Sequence, residues 1–184
     1  KTLVYLITQP ANLSVSLTQT NVSCFGGNNG AINSNVTGGT IPYTYSWTTG
    51  GASTPNLTNV TASTKTLTVT DNNNCIATAT IAVSQPSVLA IASSFTNETC
   101  NYLDNGVAST TVTGGTAPYN YSWSPGSYTT SSVSGLSSGV YTVTVTDNNG
   151  CIKTKAITIS QPAAININFI NQVNVSCFGG SNGV

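Results

Sequence analysis

The chain has 184 residues, with no histidine, arginine or methionine, and its eight charged side chains cancel to a net charge of zero. That composition excludes a basic face for nucleic acid and an acidic tail, and it leaves too few titratable groups for acid/base catalysis. No run of 18 apolar residues occurs, so no membrane insertion is expected in this segment. Soluble domains usually carry about 25% charged residues, so solubility here must rest on Thr, Ser and Asn. Disorder is not the expectation, because the Val, Ile, Leu and aromatic residues fall in period-2 register.

In chain order, residues 1–8 (KTLVYLIT) stand 76 positions before ATATIAVS (77–84) and 152 before KTKAITIS (153–160). All three are followed by Gln-Pro, at 9–10, 85–86 and 161–162. Proline lacks an amide hydrogen and holds its predecessor extended, so Gln-Pro marks the place where one unit ends. The expected division is therefore 1–9 as the last strand of a preceding repeat, 11–86 and 87–162 as two repeats, and 163–184 as the first part of a following one. With no initial methionine and no signal-peptide pattern, the chain reads as a piece from inside a longer polypeptide.

Each repeat opens with a loosely alternating strand: Leu13, Val15 and Leu17, then Leu89, Ile91 and Phe95, then Ile165, Ile167 and Phe169. NVSCFGGNNGAI (21–32), ETCNYLDNGVA (98–108) and NVSCFGGSNGV (174–184) follow, and their Asn-Gly pairs predict hairpin turns. VTGGTIPYTYSW (36–47) and VTGGTAPYNYSW (112–123) are the most faithful copies. Gly-Gly permits a sharp turn, and Tyr43, Tyr45 and Trp47, like Tyr119, Tyr121 and Trp123, share one strand face. Trp47, Trp123, Tyr45 and Tyr121 are expected core residues. A Ser, Thr, Gly and Pro stretch then holds one or two short edge strands. In the second copy only, LSSGVY (136–141) places a tyrosine as the tyrosine corner of sandwich folds does; the first copy has Lys65 there.

The repeat closes on TLTVTDNNNC (66–75) and TVTVTDNNGC (142–151), where Val69 and Val145 belong to the apolar face and the Asp-Asn-Asn turn leads to a cysteine. Asn74 stands where the other copy has Gly150, a left-handed position that Asn accepts. Seven or eight short strands per 76 residues, with turn signals every 8 to 12 residues and no helical period, predict an all-β chain of tandem immunoglobulin-like β-sandwiches.

The combination GG-x-x-PY-x-Y-x-W, VTVTDNNGC and C-x-GG-x-NG at this spacing resembles the SprB-type repeats of large Bacteroidota surface adhesins. The resemblance covers essentially the whole chain. It implies an extracellular, cell-surface array, exported by the type IX system and in some members serving gliding motility or attachment. A structural or adhesive spacer with no chemistry of its own is the expected function, with neighbouring repeats of the same chain or fibre as partners.

Other readings rest on particular residues. Asp71 and Asp147, each followed by Asn-Asn, are weak calcium candidates, since one carboxylate per loop is little charge for a tight site; no cofactor is expected. The Tyr and Trp faces could serve a carbohydrate-binding module, making surface glycans a candidate partner, although a central strand suits core packing. Asn-x-Ser/Thr occurs at Asn12, Asn21, Asn35, Asn56, Asn59, Asn97, Asn120 and Asn174, as chance supplies in so Asn-rich a chain. For the cysteines, an Asn29-Gly30 hairpin would carry Cys24 toward the start of the last strand. This pairs Cys24 with Cys75 and Cys100 with Cys151, leaves Cys177 unpaired, and keeps Cys24–Cys151 as the cross-repeat alternative. The apolar end pieces, with Val4, Leu6, Ile165 and Ile167, need neighbours, from a continuous chain or from donated strands in a polymer.

Overall fold

The structure is a computed structural model that describes residues 8–48, 51–168, 174 and 176–181. The strand expected over residues 1–8 therefore lies almost wholly outside the described residues, as do Phe169 and the end of the third copy.

Twelve strands and no helix are described. The first repeat contains β1 (Ser14–Thr20), β2 (Gly30–Thr37), β3 (Thr44–Trp47), β4 (Leu57–Val60), β5 (Ser63–Thr70) and β6 (Ile76–Val83). The second contains β7 (Ala90–Thr96), β8 (Gly106–Thr113), β9 (Asn120–Ser124), β10 (Ser132–Leu136), β11 (Gly139–Thr146) and β12 (Ile152–Ile159). Among the described residues each repeat thus has six strands, fewer than the turn signals suggested, because the Ser/Thr/Gly/Pro stretch yields one strand only. All pairings are antiparallel. Sheets β1-β2-β4 and β3-β5-β6 form one immunoglobulin-like sandwich, and β7-β8-β10 and β9-β11-β12 form the next. Ile165 and Ile167, expected in a strand, are in no regular element and stand 92% and 80% exposed.

The period-2 pattern explains both cores. Leu67 and Val69 of β5 and Val143 and Val145 of β11 are fully buried, while the threonines between them are only partly covered. Trp47 and Trp123 lie opposite Leu67 and Val143 on the neighbouring strands and are buried. Each indole N–H donates at 2.9 Å to a carbonyl seven residues on, Thr54 O and Thr130 O respectively. The polar end of each ring is therefore satisfied and its apolar body fills the core. Tyr45 and Tyr121 are only partly buried, packed against the two clusters from the margin. The first cluster (Val22, Ile32, Trp47, Val60, Leu67, Val69, Val83) and the second (around Trp123, Leu136, Val143, Val145 and Ile159) share no residue. Both lie entirely within residues 11–162. Tyr141 is buried and its hydroxyl donates to Ser137 O at 3.2 Å, the corner that LSSGVY suggested.

The β1–β2 loop holds one further departure from the repeat. Tyr102 takes the place of Gly26 and has φ 56° where the glycine has φ 73°. A bulky residue in the left-handed region costs roughly 1–2 kcal/mol, part of which glycine returns through its freer unfolded chain. Tyr102 is 80% exposed, so little packing is at stake. Tyr102→Gly is expected to stabilise the second repeat by about 1 kcal/mol in urea unfolding, with unchanged m-value.

Candidate interaction site: the joint between repeats

Each sandwich has two poles, and both are built by side chains that bond backbone. At the leading pole of the first repeat, the turn after β5 is organised by Asp71. Its carboxylate accepts the amides of Thr40 at 2.9 Å, Asn73 at 2.9 Å and Cys75 at 2.8 Å. Asp147 repeats this with Thr116, Asn149 and Cys151 at 2.9, 2.9 and 2.8 Å. Gly39 N and Gly115 N in turn donate to Ala11 O and Ser87 O, closing the Gly-Gly loop onto the incoming chain. Asn74 has φ 63° and Gly150 φ 81°, so Asn fills the left-handed place as expected.

The two aspartates are thus turn organisers with their oxygens already occupied by amides. Among the described residues no three His, Cys, Asp or Glu side chains converge as a metal site would need. Burial pushes each carboxyl upward, but the backbone amides prevail and hold both below the usual carboxylate range. A depressed folded value means the stabilisation is present at every pH above about 4, the unfolded value, and is lost as pH falls through the folded one. The double variant D71N/D147N is expected to melt lower at pH 7. Its melting temperature should fall less steeply than the parent's from pH 5 to 2; parallel curves in scanning calorimetry would contradict this.

The trailing pole is the loop from β1 to β2. Val22 N bonds Ser84 O at 2.9 Å, Ser84 N bonds Asn21 Oδ1 at 2.9 Å, and Gly26 N bonds Gln85 Oε1 at 2.7 Å. Asn29 accepts from Ser23 N and donates to Ser23 Oγ. The second repeat makes the matching set: Glu98 N to Ser160 O, Ser160 N to Asn97, Tyr102 N to Gln161 and Asn105 to Thr99. Sequence reasoning missed these roles of Asn21, Asn29 and Gln85, although N-V-S-C-x₄-N-G and Gln-Pro carried the signal.

This pole corrects the expected disulfides. Asn29-Gly30 is not a hairpin turn. Gly30 opens β2, and a Cβ there would lie 2.6 Å from Val60 O and 3.0 Å from Val83 Cγ1, so the glycine serves close packing at the trailing pole. Cys24 consequently stays beside the end of β6, whereas Cys75 precedes its start, a strand of eight residues or about 26 Å away. Neither Cys24–Cys75 nor Cys100–Cys151 forms. Cys24 bonds Cys151 instead, across the boundary, with Cα atoms 5.7 Å apart and 127 residues between them in sequence. Cys75, Cys100 and Cys177 are free and exposed.

Beside the bridge, Asn149 Nδ2 donates to Ser23 O at 3.0 Å, and a shallow apolar hollow is lined by Phe25, Val88, Leu89 and Ile152. The trailing pole of one sandwich thus meets the leading pole of the next through one covalent bond, one polar bond and a small apolar contact. The aromatic platform imagined for a sugar is not available in this geometry. Both indoles are inside, and Tyr43 and Tyr119 are tied by their hydroxyls to Gly38 O and Gly114 O at 2.6 Å.

A chain of repeated sandwiches joined pole to pole defines a tandem-repeat protein. The SprB repeat model matches residues 16–52 and again 92–128, one match in each sandwich. Among solved structures it is similar to the C-terminal 282-residue fragment of intimin, solved in complex with the intimin-binding domain of the translocated intimin receptor. Identity there is 12% and the TM-score 0.42, over 83% of this chain; the match spans 64% of that fragment. A search of the curated proteins finds no match.

Proposed function

We propose that the chain is a structural and adhesive spacer segment of a long extracellular protein, displayed at the cell surface by the type IX route that the SprB resemblance implies. Its working units are the two sandwiches at residues 11–86 and 87–162, and its partners are neighbouring repeats. The observation that carries this reading is the Cys24–Cys151 joint. It adds a covalent clamp to a short, proline-stiffened linker, and a disulfide of this kind persists in oxidising, extracellular surroundings. The chain has no histidine, and Asp71 and Asp147 spend their oxygens on backbone amides, which leaves the two leading poles little acid/base chemistry to offer. Antibodies raised against the folded chain should label intact, unpermeabilised source cells, and surface proteolysis should remove the signal. Labelling only after permeabilisation would overturn the proposal.

A further inference from the structure

The two open poles match the two halves of the closed joint. The hollow at the trailing pole of the second repeat is lined by Cys100, Asn101, Pro162, Ala164 and Ile165, each 76 positions after Cys24, Phe25, Pro86, Val88 and Leu89. The hollow at the leading pole of the first repeat is lined by Leu13, Asp71, Cys75 and Ile76, each 76 positions before Leu89, Asp147, Cys151 and Ile152. The scaffolds behind them are the same as well. Asp71 holds the Cys75 amide as Asp147 holds that of Cys151, and Gln161 holds the loop after Cys100 as Gln85 holds the loop after Cys24. Burial separates used from unused thiols: Cys24 and Cys151 are half-buried, while Cys75 and Cys100 are exposed.

We infer that Cys100 and Cys75 are the two halves of a disulfide that staples this repeat pair to further copies of the same repeat, Cys100 bonding the Cys75 position of the copy that follows. The inference rests on the array reading proposed above and adds its chemistry. Every cysteine of the repeat then has one defined role: the one in the β1–β2 loop reaches forward and the one after the aspartate turn receives it. The bond forms by thiol–disulfide exchange with a small disulfide oxidant such as oxidised glutathione. One cysteine thiolate displaces a glutathione thiol to give a mixed disulfide, and the second displaces the other. The two protein thiols lose two electrons and two protons, and one oxidised glutathione becomes two thiols.

The test is a tandem duplication of residues 11–162, which holds both cores of each copy and joins Pro162 to Ala11 as Pro86 joins Ser87. Cys100 of the first copy and Cys75 of the second are then separated by 127 residues, the same as Cys24 and Cys151. After refolding with oxidised glutathione, the monomeric fraction is alkylated and mapped without reduction. The expected result is two alkylated thiols in the single pair, two rather than four in the duplication, and recovery of the Cys100–Cys75 linked peptides. Four alkylated thiols beside intact Cys24–Cys151 bridges would overturn the staple while leaving the array reading in place. Loss of the Cys24–Cys151 bridge as well would overturn the joint itself.

Discussion

Trp123→Ala is expected to unfold the second repeat while the first stays folded. The indole is 2% exposed, faces Val143 across the ladder and satisfies its N–H on Thr130 O. Truncating such a ring costs about 3–5 kcal/mol through lost burial and the cavity left behind. A sandwich this small has a total stability of a similar size. Because the first cluster shares no residue with the second, Trp47 should keep its blue-shifted, unquenched fluorescence, giving a direct reading of the surviving unit. Trp47→Ala should produce the mirror result. If either variant melts as one cooperative unit near the parental temperature, the cores are not independent.

Breaking the bridge, by reductant or by Cys24→Ser, is the second large effect. A cross-link closing a loop of this length removes about 5 kcal/mol of conformational freedom from the fully unfolded chain, an upper figure in the chain-entropy account. Neither core contains Cys24 or Cys151, so each sandwich should survive. Calorimetry should show the melting temperature of the pair falling on reduction, with separation into two transitions. Small-angle scattering should show a broader distribution of end-to-end distances, since among the described residues Gln85, Pro86, Asn149 and a shallow apolar contact are left to hold the angle. Unchanged melting and scattering after complete reduction would mean that the joint does not depend on its disulfide.

The sandwich was legible from the sequence because its signals are local and repeated. Alternation in TVTVT and TLTVT names the buried valines, Asp-Asn-Asn names the turn, and Gln-Pro names the break between units. The joint was misread for a physical reason. Asn-Gly is a strong hairpin signal, but Gly30 and Gly106 are glycines because backbone carbonyls and neighbouring side chains crowd them, a tertiary constraint that leaves the same two letters. Placing the turn there moved Cys24 to the wrong pole and joined it to Cys75. Six strands appear where seven or eight were counted, since turn residues between β3 and β4 mark bends in an irregular loop as readily as strand ends. Asn29 bonds Ser23 six residues away, within the N-V-S-C-x₄-N-G pattern, whereas Asn21 and Gln85 bond partners 63 and 59 residues away, which their motifs mark without naming.

The Cys24–Cys151 bond also decides where tension would run. A pull applied along the row of sandwiches enters at the start of β1, reaches Cys24, crosses the sulfur bridge to Cys151 and leaves through β12, so residues 25–150 hang outside the loaded line. At about 3.5 Å per extended residue, the stretch from Gln9 to Pro162 could pay out about 540 Å if unbridged. With the bridge shut, only the segments 9–24 and 151–162 can lengthen, about 100 Å in all. The fold would act as a safety chain around its own bulk: most of either sandwich could come apart under load and re-form without the tether growing by its length.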